Sequence, residues 1–336
     1  METIVMKKQA GLSLIELMIA ITLGIFITGG MIQLFVNSKQ SYRVQENLSR
    51  LQENGRFSMN FITTDIRMAD FWGCTSSASI ESNLNLGSSF DNILQDPISG
   101  TNNDGLNGSD SIFIKGLSSS QIFVVEVPAV PSSDLKVTDN SGLKENEIVI
   151  VSDCAMGDIF QITNDPGTGG APGKDEVIHN TGGNPSPGDA DYPGNLDASL
   201  QKRYGTDAQI YRLHSVRYFI SAGQSGQPAL FRSINSATSE ELIEGIENMQ
   251  ILYGEDTDVP PDNSPDYYVP AGTAGLDMDN VVSIRVSLLA TTLDDNLALQ
   301  AVPYTIFGAT TTPADRKIRR VFTSTIAVRN RLPLIK

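Results

Sequence analysis

The sequence GLSLIELMIAITLGIFITGGMIQLFV, residues 11–36, decides the fold of this chain. Residues 12–36 hold 25 positions and one charged side chain, Glu16. A bilayer core takes about 20 apolar residues in a helix, so the run is long enough to span one. Being apolar on all sides, it predicts a membrane helix or the buried centre of an assembly. Glu16 breaks the pattern: a lone carboxylate there costs about 2.5–3.5 kcal/mol on insertion scales, and so calls for a partner. The eleven residues ahead of the run carry Lys7 and Lys8 and end in Gly11.

These residues resemble the class III signal of type IV prepilins. Such signals have a short basic leader, a Gly at the cut, a hydrophobic first mature residue and a Glu at the fifth mature position. Here those positions fall on Gly11, Leu12 and Glu16. The resemblance implies that a prepilin peptidase removes residues 1–11 and methylates the amino group of Leu12. It also implies that helix 12–36 first sits in the inner membrane and later packs in a filament core. Glu16 would there pair with the α-amino group of a neighbouring subunit. An ordinary secretory signal is cut after its apolar region; here the apolar helix is kept. The leader departs from the pattern in one detail, because Gln9 and Ala10 separate the Lys pair from Gly11. The plain alternative is an uncleaved signal anchor with a stray Glu.

The chain has 336 residues, 24 basic and 39 acidic, for a net charge of −15. Loss of residues 1–11 leaves 22 basic and 38 acidic residues. That balance argues against a nucleic-acid-binding surface, which would be basic. Cys74 and Cys154 are the only cysteines. Export to an oxidising compartment allows them one disulfide, the alternative being two buried thiols. Closing that 80-residue loop would contribute on the order of 4 kcal/mol in the chain-entropy model.

Past Val36 the helix pattern continues to about Asp70. No proline occurs before Pro97, and Val44, Leu48, Leu51, Ile62, Ile66 and Ala69 form one apolar stripe with Gly55 on it. Residues 12–36 are thus a membrane or filament-core helix, and 37–70 its amphipathic continuation, a rod of roughly 85 Å. Gly24, Gly29 and Gly30 weaken its first half by about 1 kcal/mol each relative to Ala. From Phe71 to the end, 71–336, short β-branched runs alternate with turn residues. Strands are predicted at 111–115, 121–127, 147–152, 158–163, 176–179, 208–213, 216–221, 229–234, 249–253, 281–289 and 319–329. Segments 99–109, 164–195 and 254–275 read as surface loops. The fold class is α+β: a long N-terminal helix, half membrane-spanning and half amphipathic, packed on a periplasmic domain of antiparallel sheet.

The resemblance extends beyond the N-terminus. FITTDIRMADFWGC (61–74), EIVIVSDCAMGDIFQIT (147–163), ALFRSI (229–234), ELIEGIENMQILYGEDTD (241–258), VVSIRVSLL (281–289) and RRVFTSTIAVRNR (319–331) together resemble PilW-family minor pilins of type IV pili. That family implies a type IV pilin-like fold and a place in the minor-pilin complex that primes assembly and sits at the pilus tip. Its implied partners are other minor pilins, the major pilin, prepilin peptidase, the inner membrane and a tip adhesin. The rival readings are a type II secretion pseudopilin of the GspJ type and a membrane-anchored periplasmic binding protein. An enzyme has no supporting motif.

Other candidate chemistry is thin. Asp256, Asp258 and Asp262, with Asp266 and Glu255 nearby, suit a hard oxygen-liganded ion such as calcium. However, no EF-hand pattern is present and Pro260 and Pro261 interrupt the spacing; a solvated acidic loop is the simpler expectation, with no cofactor. GTGGAPG (167–173) lacks phosphate-loop spacing. His179 and His214 lie beside no nucleophile motif, although Asp175 and Glu176 could join His179 around a metal. Tyr267 and Tyr268 suit loop anchoring or a contact patch. The processing reading predicts that the chain isolated from its own membranes has lost residues 1–11 and carries one methyl on Leu12. Intact-mass and N-terminal peptide analysis check this, and an unprocessed Met1 would exclude it.

Overall fold

The computed structural model describes residues 13–75, 79–85, 96–118, 121–168, 174–181, 193–235 and 238–331. The leader, Gly11 and Leu12 lie outside them. One helix, α1 (Leu14–Met68), is followed by a β-rich region. With 55 residues, α1 is about 82 Å long. Ser13 caps its start, its hydroxyl accepting from the Glu16 N–H at 3.3 Å. In the apolar half, the Thr22 and Thr28 hydroxyls donate to the Met18 and Gly24 carbonyls, so neither is left bare on an apolar surface. The helix stops two residues before the expected end, where Asp70 takes a φ of 60° and turns the chain away.

The large apolar side chains from Leu14 to Val36 are all exposed. The predicted stripe becomes buried from Leu51 onward, through Gly55, Ser58, Ile62, Ile66 and Ala69. Val44 and Leu48 are half-buried at its edge. Gly55 is required by packing: a Cβ there would lie inside the Phe322 ring.

The strands in chain order are β1 (Ile80–Ser82), β2 (Ile98–Thr101), β3 (Ser111–Leu117), β4 (Ile122–Glu126), β5 (Leu135–Thr138), β6 (Ile148–Ser152), β7 (Gly157–Gln161) and β8 (Lys174–Val177). Then come β9 (Gln209–Ala222), β10 (Pro228–Ile234), β11 (Glu240–Glu244), β12 (Ile246–Glu255) and β13 (Tyr267–Val269). The last are β14 (Val281–Thr291), β15 (Tyr304–Ile306), β16 (Ala309–Thr311) and β17 (Arg319–Ala327). A four-stranded antiparallel sheet, β13-β12-β14-β17, carries the helix on β14 and β17. The other large sheet is organised on β9. The first half of β9 pairs with β4 and β6, its second half with β3 and β10. Pairing is antiparallel apart from β1 with β7.

Three apolar cores result. The first joins the helix stripe to both sheets, through Ile62, Ile66, Ile112, Tyr218, Met249 and Val286 among others. The second fills the β4–β8 lobe with Val124, Leu135, Val149, Phe160 and Ile210. A smaller third, with Trp72, Ile80, Ile150 and Tyr211, lies where the helix exit meets that lobe.

Four expectations are corrected. Strands 208–213 and 216–221 are one strand, because His214 and Ser215 stay in the ladder opposite Gly116 and Lys115. Segment 99–109 is not all loop: Ile98–Thr101 pairs with β3 as a hairpin arm. The Asp110 carboxylate closes that hairpin by accepting from the Asn103 N–H. Within 164–195, Lys174–Val177 is a strand two residues earlier than predicted, paired to β5, and residues 169–173 and 182–192 lie outside those described. In 254–275, β12 runs to Glu255 and β13 returns against it, leaving 256–266 as the loop. Three-residue strands such as β13 are too short to show alternation on their own.

Gly55→Ala forces a methyl into the Phe322 ring and is expected to cost about 1–3 kcal/mol. Gly24→Ala, with nothing within 4 Å, should cost nothing. Thermal unfolding of both full-length variants in detergent checks the contrast.

Candidate functional site

The features that bear on function lie along α1. Its first half projects from the β region with its apolar surface bare, and Glu16 stands exposed on that surface. Among the described residues no cation lies in ion-pair contact with Glu16. One helix in the described chain is long and apolar enough to cross a membrane.

The second half of α1 is fastened to the domain at both ends. At the lower end, Arg43 Nε donates to Asp294 Oδ2 at 2.9 Å and Asn47 Nδ2 to the same oxygen at 3.2 Å. The two donors hold the Asp294 carboxyl below its usual range. In the middle, Tyr218 donates to Asp65 Oδ2 at 2.5 Å. Burial and that carboxylate push the phenol up, so it stays protonated. At the upper end, Asn330 donates to the Ala69 carbonyl at 2.8 Å and Arg331 Nε to Asp70 Oδ2 at 2.9 Å. A guanidinium nitrogen of Arg331 also donates to the Val281 carbonyl at 3.0 Å. Only 8% of the Arg331 side chain is exposed, and breaking such a buried pair typically costs about 3–5 kcal/mol. These contacts hold the domain at one position along the second half of the helix. These pairs bridge segments more than 150 residues apart, so nothing in the sequence could have matched them.

Cys74 and Cys154 form a disulfide, with Cα atoms 4.6 Å apart. It ties the chain just past the helix end to the β6–β7 turn, where Cys154 has a φ of 72°. The Trp72 indole donates to Asp70 at 2.6 Å beside it. The second lobe is thus stapled to the top of α1.

In the acidic loop the structure groups Asp256, Asp258 and Asp266, with one oxygen of each within 4.8 Å of the others. Asp262 is not in that group; its carboxylate accepts from the Ser264 N–H at 2.8 Å. Asp256 accepts from the Asp258 and Asn263 N–H groups. Asp266 accepts from the Thr257 N–H and hydroxyl at 2.8 and 2.7 Å. Much of the group's oxygen is therefore spent on holding the loop, though three convergent carboxylates have the chemistry for a divalent cation. The charge of Asp266 raises the Asp258 carboxyl, while the Thr257 hydrogen bonds lower that of Asp266. Tyr267 and Tyr268 anchor this loop. Tyr267 donates to Glu255, Tyr268 meets the Ser283 hydroxyl at 2.8 Å, and Arg285 covers the Tyr268 ring at 4.0 Å.

His179 is buried beyond the end of β8, with Nε2 3.2 Å from the Ser133 carbonyl and its ring 5.2 Å from Phe160. Desolvation lowers its pKa and keeps it neutral. Asp175 accepts from Ser141 and Glu176 pairs with Lys136, so the three do not converge on a metal. Gly167 lies in a single turn, Pro166–Thr168; the rest of the glycine-rich stretch lies largely outside the described residues.

Residues 217–330 match the family type IV pilus-assembly protein W, and residues 6–32 match the prokaryotic N-terminal methylation motif. No curated protein and no solved structure matches the chain. The first match starts inside β9, at the half that pairs with β3 and β10, and runs through β17. It therefore covers the helix-bearing sheet and leaves out the β4–β8 lobe. The first is a family of type IV pilus assembly and the second a processing motif. They imply contact with other pilus components, and with the apolar helix they point to membrane anchoring and pilus association.

The acidic loop gives a pH signature with two signs. Ionised Asp266 contributes stability above the usual aspartate value of 3.8, and this is lost as pH falls through its lowered folded value. Ionised Asp258 is destabilising at neutral pH, and that cost is relieved as pH falls through its raised value. Carboxyl NMR titration should place Asp266 below and Asp258 above 3.8. If the group ligates calcium, millimolar calcium lowers the Asp258 midpoint; an unchanged midpoint removes the metal.

Proposed function

We propose that this chain, which matches the pilus-assembly family over residues 217–330 and the methylation motif over residues 6–32, is a PilW-family minor pilin that primes pilus assembly and sits in the tip complex. The observation that carries the proposal is an apolar helix bearing one carboxylate, Glu16, with no ion-pair partner among the described residues, fastened to an acidic β domain. Residues 1–11 are removed at Gly11 and Leu12 is methylated. Residues 12–36 then hold the chain in the inner membrane, with 37–70 and the β domain, 71–336, on the periplasmic side.

The mechanism is docking. In a lipid or filament core an isolated carboxylate and an isolated ammonium are each costly, and their pairing removes both costs. A free α-amino group on a neighbouring subunit supplies the ammonium. The pair forms only when the two helices are offset so that residue 16 of one meets the first mature residue of the other, which sets the axial register. The clamp from Arg43 to Arg331 carries that register into the β domain. Lateral contact with other minor pilins is supported by the groove beside α1. Glu53, Arg56, Phe57, Asn60 and Thr63 line it, facing Phe322 of β17, the edge strand of its sheet.

The chain is not an enzyme on this reading and needs no cofactor; calcium in the acidic loop is a subsidiary proposal. A GspJ-type pseudopilin would share the signal and helix, and is distinguished by co-purification with a secretion pseudopilus rather than sheared pili. A membrane-anchored binding protein would keep its function when α1 is replaced by an unrelated anchor. Glu16→Ala is expected to leave the protein in the membrane but reduce its recovery in sheared pili at least about tenfold, the scale of one lost buried charge pair. Wild-type recovery of the variant would take Glu16 out of the mechanism.

A further inference from the structure

The β14–β17 connection lies at the membrane-proximal end of the domain. Strand β17 follows α1 upward: Phe322 meets Gly55, and Asn330 meets Ala69. Since Thr291 pairs with Arg319, the connection between them emerges at the lower end. There Asp294 holds Arg43, seven residues past Val36, about 10 Å above the end of the apolar run at ~1.5 Å per residue. That height is the headgroup layer of a bilayer spanned by residues 12–36.

The composition of the connection fits that layer. Residues 296–314, NLALQAVPYTIFGATTTPA, contain no charged side chain, the longest such run outside the apolar helix. Leu299 is 99% exposed, and Val302 and Phe307 are also exposed, with Phe307 at a hairpin tip between β15 and β16. The acids flanking the run are occupied: Asp294 by Arg43, Asp295 by the Arg316 and Asn296 N–H groups, and Asp315 by Arg319. The opposite end of the sheet bears the acidic loop, with Val259 exposed to 96%. The eleven residues of β14 put about 36 Å between the ends at ~3.3 Å per residue. One end thus presents a charge-free apolar run between paired acids, beside the membrane helix, and the other is anionic.

We propose that the 296–314 loop rests on the bilayer that α1 enters, seating Leu299, Val302 and Phe307 among the lipid headgroups. Apolar and aromatic side chains without net charge partition into this layer. The contact gives the domain a second point of attachment and so fixes its tilt on the membrane before assembly. Leaving the membrane for a filament then requires this loop to detach. The proposal rests on the membrane-anchored reading of α1.

The test uses the full chain with Leu299→Cys, Val259→Cys or Ile25→Cys, each labelled with an environment-sensitive fluorophore. The native cysteines are paired and do not take the label. The proteins are reconstituted into phosphatidylethanolamine–phosphatidylglycerol vesicles, without brominated lipid and with acyl chains brominated either near the headgroups, to report on residues 299 and 259, or near the chain ends, to report on residue 25. The expected result is about twofold or greater quenching and a blue shift at residues 25 and 299, with residue 259 unaffected. Quenching at residue 25 without quenching at residue 299 overturns the loop contact and keeps the membrane helix. No quenching at residue 25 overturns the membrane reading and the loop contact with it. Quenching at all three positions shows adsorption without orientation and overturns the proposed placement.

Discussion

A single helix with two kinds of surface constrains everything else here. Its first half is apolar on every side and its second half has one buried stripe, so no single solvent suits both. The β domain buries the stripe from Leu51 upward, touches the helix at its edge between Arg43 and Leu48, and leaves the apolar run to Val36 bare. Gly55 brings the helix backbone onto the Phe322 ring, and the ion pairs at residues 43 and 70 keep that contact in register. A flexible joint between helix and domain would lose any link between what happens around Glu16 and what the domain presents outside.

Strand β9 has a comparable role within the β region. Its fourteen residues serve all three cores: Ile210 in the β4–β8 lobe, Tyr211 and Leu213 at the helix exit, and Val216, Tyr218 and Ile220 under the helix. The family match begins where β9 changes partners. That match spans the helix-bearing sheet and does not include the lobe, which lies between β3 and β9 in the chain. Its attachment is reinforced from the other side by Cys74–Cys154, so it is fixed to the top of the helix by both main chain and sulfur.

Much of this was legible in the sequence because it rests on local periodicity. The helix and its stripe, the eventual β character, and strands such as β12, β14 and β17 follow from the spacing of apolar residues. What escaped was long-range. The continuity of β9 through His214 and Ser215 depends on β3 opposite. Asp266, rather than Asp262, completes the carboxylate group because Thr257 turns it inward. The Arg331–Asp70 pair joins residues 261 apart. Glu16 was conspicuous for the opposite reason: one charge in a long apolar run is a local anomaly.

The parallel course of α1 and β17 also determines how the molecule would bear tension. A pull along the helix axis reaches the domain through contacts at residues 43, 47, 65 and 70 and the Gly55–Phe322 interlock, all spread along the direction of force. Such contacts are strained together in shear, not opened one after another as in peeling. Separation requires most of them to fail at once. A load along the helix is thus shared among these contacts before it reaches the β domain.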